Sequence, residues 1–268
     1  MTAPGQAETG VWVGVNVKNL LLALVIALNV SCGSAAPDQA TASARPDRAT
    51  VSARPGQEID FDRARLEMVE EQIEARGITD SRVLAAMSRV PRHEYVPVQY
   101  RALAYGDSPL RIEFGQTISQ PYIVALMTEL LQPEPDDRIL EIGTGTGYQA
   151  AVAAELVAQV YSIEIIPELA RSAAERLERL GVSNVMVRAG DGYLGWPEQS
   201  PFDGILVTAG APHIPEPLVE QLRPGARMII PVGEPSSVQM LRVVEKLPGG
   251  GVEIRDIASV RFVPLRRN

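Results

Sequence analysis

The 268-residue chain has very few of the residues that form disulfides and metal sites. Its single cysteine, Cys32, excludes an intramolecular disulfide and a zinc cluster built from cysteines. Only two histidines, His93 and His213, leave little material for a histidine-rich metal centre. We therefore expect neither a disulfide framework nor a bound metal.

Positive charge is also in short supply. Lys and Arg total 25 against 33 Asp and Glu, which gives a formal net charge of −8 and a pI near 5.0. Because nucleic-acid affinity comes largely from cations that displace counterions from phosphates, we expect no nucleic-acid partner. Hydrophobic residues make up 46% of the chain, which is enough to bury a sizeable core and argues against global disorder.

The first 36 residues have the order of a secretory signal. Lys18 precedes a short apolar run at 19–28, and small residues follow around Cys32. The run is shorter than the ~20 apolar residues of a membrane span, and Cys32 resembles the lipid-modified cysteine of a bacterial lipoprotein. Residues 1–36 are therefore predicted to be a signal or lipoprotein-like segment, and lipidation would provide a membrane tether. The alternative is an upstream extension without a targeting role.

A flexible linker is predicted at 37–58. This stretch consists mainly of small and polar residues, and Val51 is its one large apolar residue. Such a composition cannot bury enough apolar surface to offset the entropy of ordering the chain. The folded domain is predicted to span 59–268.

Helices are predicted before the pattern of a sheet begins. The apolar residues of 61–76 have helical spacing and Gly77 follows them, and further helices are predicted at 80–89 and 122–131. From Arg138 onward the predicted elements are strand 138–142, helix 148–158, strand 159–163, helix 167–180, strand 184–188, strand 203–208, helix 215–222, strand 226–231, and strands near 238–246 and 252–262. Alternating strands and helices predict a mostly parallel sheet covered on both faces, with the last two strands antiparallel at one edge.

The clearest motif is the glycine loop at 143–147, which follows an apolar strand and leads into a helix at Tyr148. Glycines permit the tight turn and the close approach of a ligand to the backbone. A dinucleotide fingerprint would have its third glycine at position 148, and Glu141 adds negative charge against phosphates. A nucleoside ligand without phosphates, such as S-adenosylmethionine, is therefore favoured. The candidate cofactor residues of this segment are Glu141, Gly143, Gly145 and Gly147.

Two further motifs follow the next two strands. Glu164 lies 164 − 143 = 21 residues after the first glycine of the loop, where an acidic residue accepts hydrogen bonds from ribose hydroxyls in such folds. Asp191 and Gly192 follow the third strand and are interpreted as contacts on the adenine side. The alternatives are a helix-capping role for Glu164 and a plain turn at 190–192. Ligands of open parallel sheets bind at the carboxyl ends of the strands, where these motifs meet.

Together the motifs resemble class I S-adenosylmethionine-dependent methyltransferases, and four other segments narrow the resemblance. PRHEYVP at 91–97, AYGD at 104–107, GQTISQP at 115–121 and VRFVPL at 260–265 are similar to the protein-L-isoaspartate O-methyltransferase family, over about residues 60–268. GQTISQP is far more specific than the glycine loop. The resemblance implies an α/β fold with a doubly wound, mostly parallel, seven-stranded Rossmann-like sheet and an N-terminal helical segment.

The resemblance also implies the reaction and its residues. The family transfers a methyl group from S-adenosylmethionine to the free α-carboxylate of L-isoaspartyl residues, which starts protein repair through a succinimide. Ser119 corresponds to the active-site serine, and Thr117 and Ile118 to the loop over the cofactor. Because the carboxylate is ionised at neutral pH and the donor is an activated sulfonium, orientation suffices and neither a base nor a metal is needed. Ser119 would aim the carboxylate; a cap for the helix near Tyr122 is its structural alternative.

Substrate contacts are predicted at three positions. Val263 and Pro264 resemble the substrate-side strand of the family, where backbone groups would pair with a bound peptide, and His213 follows the fourth strand near the same crevice. The implied partners are isoaspartyl-containing proteins and peptides, and the enzyme is expected to be monomeric. Family members are cytoplasmic, whereas residues 1–36 predict export or lipid anchoring to the cell envelope.

Three other functions are compatible with parts of the sequence. A nicotinamide-dependent oxidoreductase lacks support because Tyr148 replaces the third glycine and no Tyr-x-x-x-Lys pattern is present. A small-molecule methyltransferase differs only in the segments 115–121 and 260–265. An envelope lipoprotein could use the fold as a binding module, but the complete set of Ser119, the loop glycines and Glu164 favours an enzyme.

Overall fold

The computed structural model describes residues 59–235 and 237–267. The predictions for 1–36, for Cys32 and for the linker at 37–58 lie outside the described residues. None of the helices within the described part of the chain has the length and apolarity that a bilayer crossing demands.

The first helical segment begins where Asp60 caps it, since the Asp60 carboxylate accepts a hydrogen bond of 3.0 Å from the Arg63 backbone N–H. The segment comprises α1 (Phe61–Glu67), a π-helical stretch (Met68–Ile73) and a 3-10 turn (Glu74–Arg76). Gly77, with φ of +97°, ends it as predicted. The apolar residues of this segment are not all buried: Ile73 is buried, whereas Leu66 is 56% exposed. The π-helical stretch changes the angular spacing of the residues on either side of it, so they do not all lie on one face.

The other helices and the strands lie close to the predicted positions. The remaining α-helices are α2 (Ser81–Arg89), α3 (Pro121–Leu131), α4 (Tyr148–Ala154), α5 (Pro167–Arg179) and α6 (Glu216–Glu220). The strands are β1 (Leu110–Arg111), β2 (Thr117–Ile118), β3 (Arg138–Ile142), β4 (Gln159–Glu164), β5 (Val185–Ala189), β6 (Phe202–Val207), β7 (Leu222–Val232), β8 (Gln239–Lys246) and β9 (Val252–Val260). Helix α4 is shorter than predicted, β7 starts earlier, and the short β1–β2 hairpin was not predicted.

The main sheet has seven strands in the order β5-β4-β3-β6-β7-β8-β9. All neighbours from β5 to β7 are parallel, whereas β7–β8 and β8–β9 pair antiparallel. This confirms the predicted mostly parallel sheet with its last two strands antiparallel at one edge. Along the chain, β4 and β5 are added on one side of β3, and β6 is then added on the other side of β3. The order therefore reverses between β3 and β6.

Both faces of the sheet are covered, as expected for a doubly wound fold. Alternate residues of one strand enter different cores: Ile229 of β7 packs with the N-terminal helices and α3–α5, while Met228 and Ile230 pack with α6 on the opposite face. The period of two along buried strands produces this division. The two cores fix β3, β4 and β6 rigidly, and their carboxyl ends carry the candidate site.

Candidate active site

A cleft opens at the carboxyl ends of β3, β4 and β6, where the strand order reverses. Its walls are the glycine loop, the end of β4, the residues after β6, the segment 116–119 and the C-terminal segment 263–266. Ligands of open α/β sheets bind at this position. The predicted residues that line the cleft are Thr117, Ile118, Ser119, Gly143, Gly145, Glu164, Gly192, Val263 and Pro264.

The glycine loop has a backbone that only glycine adopts easily. Gly143, Gly145 and Gly147 have φ of +99°, +53° and +87°. The Gly143 N–H donates a 2.8 Å hydrogen bond to the Ile163 carbonyl, and the Thr208 hydroxyl donates to the Gly143 carbonyl at 2.6 Å. A Cβ at Gly143 would lie 2.5 Å from Thr208 Oγ1. The loop is thus held tightly between β4 and the end of β6, with a bare backbone facing the cleft.

Glu164 connects the loop to the end of β4. Its Oε2 accepts a 2.9 Å hydrogen bond from the Gly145 N–H, and its Oε1 accepts one of 3.1 Å from the Ile166 N–H. The residue is 5% exposed and lines the cleft. A carboxylate oxygen can accept more than one hydrogen bond, so both oxygens retain capacity for a ligand hydroxyl. The second of these bonds goes to the N–H of Ile166, the residue before α5, and the helix itself has no side-chain cap. The alternative role of Glu164 as a helix cap is therefore not found.

Glu141 lies behind the cleft, and its side chain is not part of the lining. The side chain is fully buried and accepts a hydrogen bond from the Ser162 hydroxyl, which in turn lies 2.6 Å from the Thr144 hydroxyl. Burial raises the pKa of Glu141 from its ordinary value of 4.5 to about 8. The raised pKa favours the neutral form of the Glu141 carboxyl, which weakens the argument that its charge disfavours phosphates. The side chain supports the loop from behind through Ser162 and Thr144.

Ser119 follows the hairpin β1–β2, in which Leu110 faces Ile118. The residue before α3 is Gln120, and the helix has no side-chain cap. The alternative role of Ser119 as a helix cap is therefore not found. Together with Thr117, Ser119 also lines a second depression, the outer groove, whose other walls are Pro109, Gln120, Ile123, Val238 and 259–262. Ser119 thus lies where the cleft and the outer groove meet.

The C-terminal segment closes one side of the cleft. The Gly210 N–H donates to the Val263 carbonyl and the Leu265 N–H donates to the Gly210 carbonyl, both at 2.8 Å. Val263 and Pro264 line the cleft. Gly210 therefore occupies the Val263 carbonyl and the Leu265 N–H, whereas the Val263 N–H and the Pro264 carbonyl take no part in these two bonds. The expected backbone pairing of a peptide with Val263 and Pro264 stays a prediction.

Two more predicted cofactor residues lie outside the lining of the cleft. Gly147 is the N-cap residue of α4, and a Cβ there would lie 3.3 Å from Leu177 of α5. The Asp191 carboxylate accepts a 2.9 Å hydrogen bond from the Tyr193 N–H and caps the turn after β5, while its neighbour Gly192 lines the cleft. The predicted roles of Gly147 and Asp191 as direct cofactor contacts stay predictions. In the structure Gly147 allows α4 to pack closely on α5, and Asp191 caps a turn.

Neither histidine lines the cleft. His213 is exposed, with its ring 6.2 Å from that of Tyr193. His93 stacks on Phe61 with ring centres 4.1 Å apart. The substrate contact predicted for His213 stays a prediction.

Several residues of the cleft were not predicted. Gln116, Thr146, Gln149, Thr208 and Arg266 all contribute to the lining. Thr208 and Gln116 carried a usable signal, because Thr208 ends the predicted strand 203–208 and Gln116 belongs to GQTISQP. Gln149 lies in a helix, where sequence spacing does not show which face meets a ligand.

Comparisons with known proteins agree with this geometry. The family model of protein-L-isoaspartate(D-aspartate) O-methyltransferase matches residues 63–268. Protein-L-isoaspartate O-methyltransferase 2 of Syntrophobacter fumaroxidans is 62% identical over 186 residues, covering 69% of this chain and 75% of that protein. Protein-L-isoaspartate O-methyltransferase 1 of Nitrosospira multiformis is 54% identical over 209 residues, covering 77% and 89%.

A solved structure extends the comparison to the fold. A Plasmodium falciparum protein crystallised in complex with S-adenosyl-L-homocysteine is similar with a TM-score of 0.66 and 27% identity, covering 76% of this chain and 99% of that chain. The sheet order, the cleft at its reversal point and the family match are mutually consistent. The chain belongs to the protein-L-isoaspartate(D-aspartate) O-methyltransferase family.

Proposed function

We propose that this enzyme methylates the α-carboxylate of L-isoaspartyl residues in proteins and peptides, with Ser119 orienting the carboxylate. The reaction follows from the family to which the chain belongs. The observation that carries the role of Ser119 is its position at the junction of the cleft and the outer groove. A cofactor in the cleft and a peptide in the groove would approach each other at this residue.

The cofactor is S-adenosylmethionine, and the cleft suits it. The Gly143 and Gly145 backbone provides a surface without side chains, where a nucleoside can approach closely. The Glu164 carboxylate offers acceptors for two ribose hydroxyls while holding the loop. The related Plasmodium falciparum protein was crystallised with S-adenosyl-L-homocysteine, which is the compound that remains after the methyl group has been transferred.

The chemistry requires orientation more than activation. When bound, S-adenosylmethionine supplies an electrophilic methyl group on a sulfonium. The Ser119 hydroxyl would donate a hydrogen bond to one oxygen of the substrate carboxylate and so aim the other oxygen at the methyl group. The methyl group would be transferred from the sulfonium to that oxygen, and no proton would move, because the carboxylate is already ionised. Holding the reacting atoms in line can supply several kcal/mol of the rate enhancement, within the ~7–11 kcal/mol available to orientation.

The methyl ester then reacts without further help from the enzyme. The neighbouring amide nitrogen attacks the ester, methanol leaves, and a succinimide forms. Hydrolysis of this ring returns part of the material to the normal aspartyl linkage, so the net result is the repair of aged protein.

A methylation assay tests this function. The protein is incubated with methyl-labelled S-adenosylmethionine and either an isoaspartyl peptide or the same peptide with a normal aspartyl linkage. We expect label in a base-labile ester of the isoaspartyl peptide only, and strongly reduced label with Ser119→Ala. Equal labelling of both peptides would contradict the proposed substrate.

We propose further that 59–268 is the catalytic domain, that it acts as a monomer, and that it needs neither 1–58 nor a nucleic acid. The Asp60 cap and the family match from residue 63 support this boundary. The domain alone should melt at the same temperature as the full chain, elute as a monomer and retain its activity. Cell fractionation then decides the compartment of the full chain and of the domain 59–268. Recovery of the full chain alone in the envelope fraction identifies a tether in 1–36, whereas recovery of both proteins in the cytoplasm excludes it.

A further inference from the structure

We propose that Arg92 is a positioning residue that holds the backbone of Ser119 in place relative to the cofactor loop. This inference rests on the role of Ser119 proposed above. Arg92 lies in a 3-10 turn (Arg92–Glu94) and is fully buried. It does not line the cleft, so it would act through its neighbours.

The environment of Arg92 is unusual for a buried cation. Desolvation lowers the pKa of Arg92 to about 10, and among the described residues no carboxylate forms an ion pair with it. The side chain is nevertheless charged at neutral pH. A buried charge without a counter-charge is costly, and ordinary packing could be achieved by an apolar side chain of similar volume. The charge therefore points to a role that needs a planar, multidentate donor.

The contacts of the guanidinium identify that role. Nε donates to the Ala104 carbonyl and Nη2 donates to the Ser119 carbonyl, both at 2.7 Å. The guanidinium carbon lies 4.8 Å from the centre of the Tyr148 ring. Tyr148 is the first residue of α4, directly after the glycine loop, and lines the cleft. One side chain therefore connects the backbone of the serine to the helix that carries the cofactor loop.

Ser119 needs such support because regular structure ends on both sides of it. The two-residue strand β2 stops at Ile118, and α3 starts at Pro121. A bond to the Ser119 carbonyl restricts rotation of its peptide plane and thereby the direction of the Cα–Cβ bond. Lysine has a single nitrogen and cannot reproduce the two directed hydrogen bonds together with the contact to the Tyr148 ring. A displacement of ~1 Å in a catalytic group can reduce the rate about 100-fold.

A double-mutant cycle tests the proposal. Wild type, Arg92→Lys, Ser119→Ala and the double variant are compared by kcat, peptide KM and the Kd of S-adenosylmethionine. We expect Arg92→Lys to lower kcat about tenfold or more, with KM and Kd within about threefold. In the Ser119→Ala background the same substitution should lower kcat by less than about threefold, because the group it positions is absent. Arg89→Lys, at an exposed ion pair with Glu155, is the matched control and should leave kcat unchanged.

Two results overturn the proposal. If the losses of the single variants multiply in the double variant, Arg92 acts independently of Ser119 and its role is structural. If Ser119→Ala alone has wild-type turnover, the proposed role of Ser119 fails, and the positioning role fails with it. Arg92→Ala adds a second measurement that does not depend on how well lysine fits. Sub-denaturing guanidinium chloride should restore its kcat more than methylammonium chloride does, and equal effects of the two salts count against the proposal.

Discussion

Replacing Glu164 with alanine tests how the cleft recognises the cofactor. The Glu164 carboxylate is 5% exposed and accepts backbone hydrogen bonds from Gly145 at 2.9 Å and Ile166 at 3.1 Å. Alanine removes these two bonds and the acceptors proposed for the ribose hydroxyls. The substitution should therefore affect both cofactor affinity and the stability of the loop.

The two effects have different expected sizes. Hydrogen bonds to a charged group contribute ~1.5–3 kcal/mol, which corresponds to about a 10–150-fold increase in the Kd of S-adenosylmethionine. The Gly145 and Ile166 N–H groups each lose their partner. Because water in the cleft can replace the carboxylate, we expect each loss to destabilise the protein by about 1 kcal/mol, the low end of the range for unsatisfied groups. For a domain of this size, ~1 kcal/mol lowers the melting temperature by about 2–4 °C.

Calorimetric titration with S-adenosylmethionine and thermal unfolding separate the two effects. Glu168→Ala is the matched control, because Glu168 is exposed in the first turn of α5 and does not line the cleft. Glu164→Gln retains one acceptor oxygen but turns an amide toward a backbone N–H, so its affinity should lie close to that of alanine. Wild-type affinity in a folded Glu164→Ala protein would refute the assigned role.

Two further predictions concern the support of the loop. Gly143→Ala should destabilise the protein by ~1–3 kcal/mol more than Gly181→Ala and should weaken cofactor binding. The reason is that a Cβ at Gly143 would lie 2.5 Å from Thr208 Oγ1, whereas Gly181, also at positive φ, faces open space. Denaturant unfolding checks this prediction, and equal losses of stability in the two variants would contradict it. Glu141→Gln should flatten the pH dependence of stability: the raised pKa of Glu141, about 8 against 4.5, means that its stabilisation is complete below pH 4.5 and lost as the pH rises through 8. Melting temperatures across this window should favour Glu141→Gln increasingly as the pH rises, and parallel curves would count against a neutral buried Glu141.

Most of the fold could be predicted because strand and helix periods are strong in this sequence. β3 and β4 are apolar runs bounded by turn residues, and their predicted limits differ from the observed ones by at most one residue. The hairpin β1–β2 could not be predicted, because strands of two residues show no alternation. The π-helical stretch from Met68 to Ile73 could not be predicted either, because the apolar spacing there also fits an ordinary α-helix.

The candidate site could be predicted as a location but not in its contacts. Gly143, Gly145 and Glu164 lie at or directly after the carboxyl ends of strands, and the topology of the sheet brings these ends together in one cleft. Glu141 and Asp191 lie equally close to strand ends in the sequence, but their side chains do not line the cleft. Glu141 points into the protein and binds Ser162, and Asp191 binds the backbone N–H of Tyr193. Which way a side chain points at a strand end depends on tertiary packing, and no local pattern encodes it.

The most direct test of the account is the turnover of Ser119→Ala with an isoaspartyl peptide at saturating S-adenosylmethionine. If Ser119 only orients an ionised carboxylate, kcat should fall by about 10–1000-fold, equivalent to ~1.4–4 kcal/mol of barrier. The Kd of the cofactor should stay within about threefold, since Glu164 and the glycine loop are unchanged, and neither enzyme should show an ionisation near neutral pH in kcat, because the substrate carboxylate titrates near pH 3–4. Wild-type turnover of Ser119→Ala, or a methyl or peptidyl adduct trapped on Ser119 in the wild-type enzyme, would contradict the account.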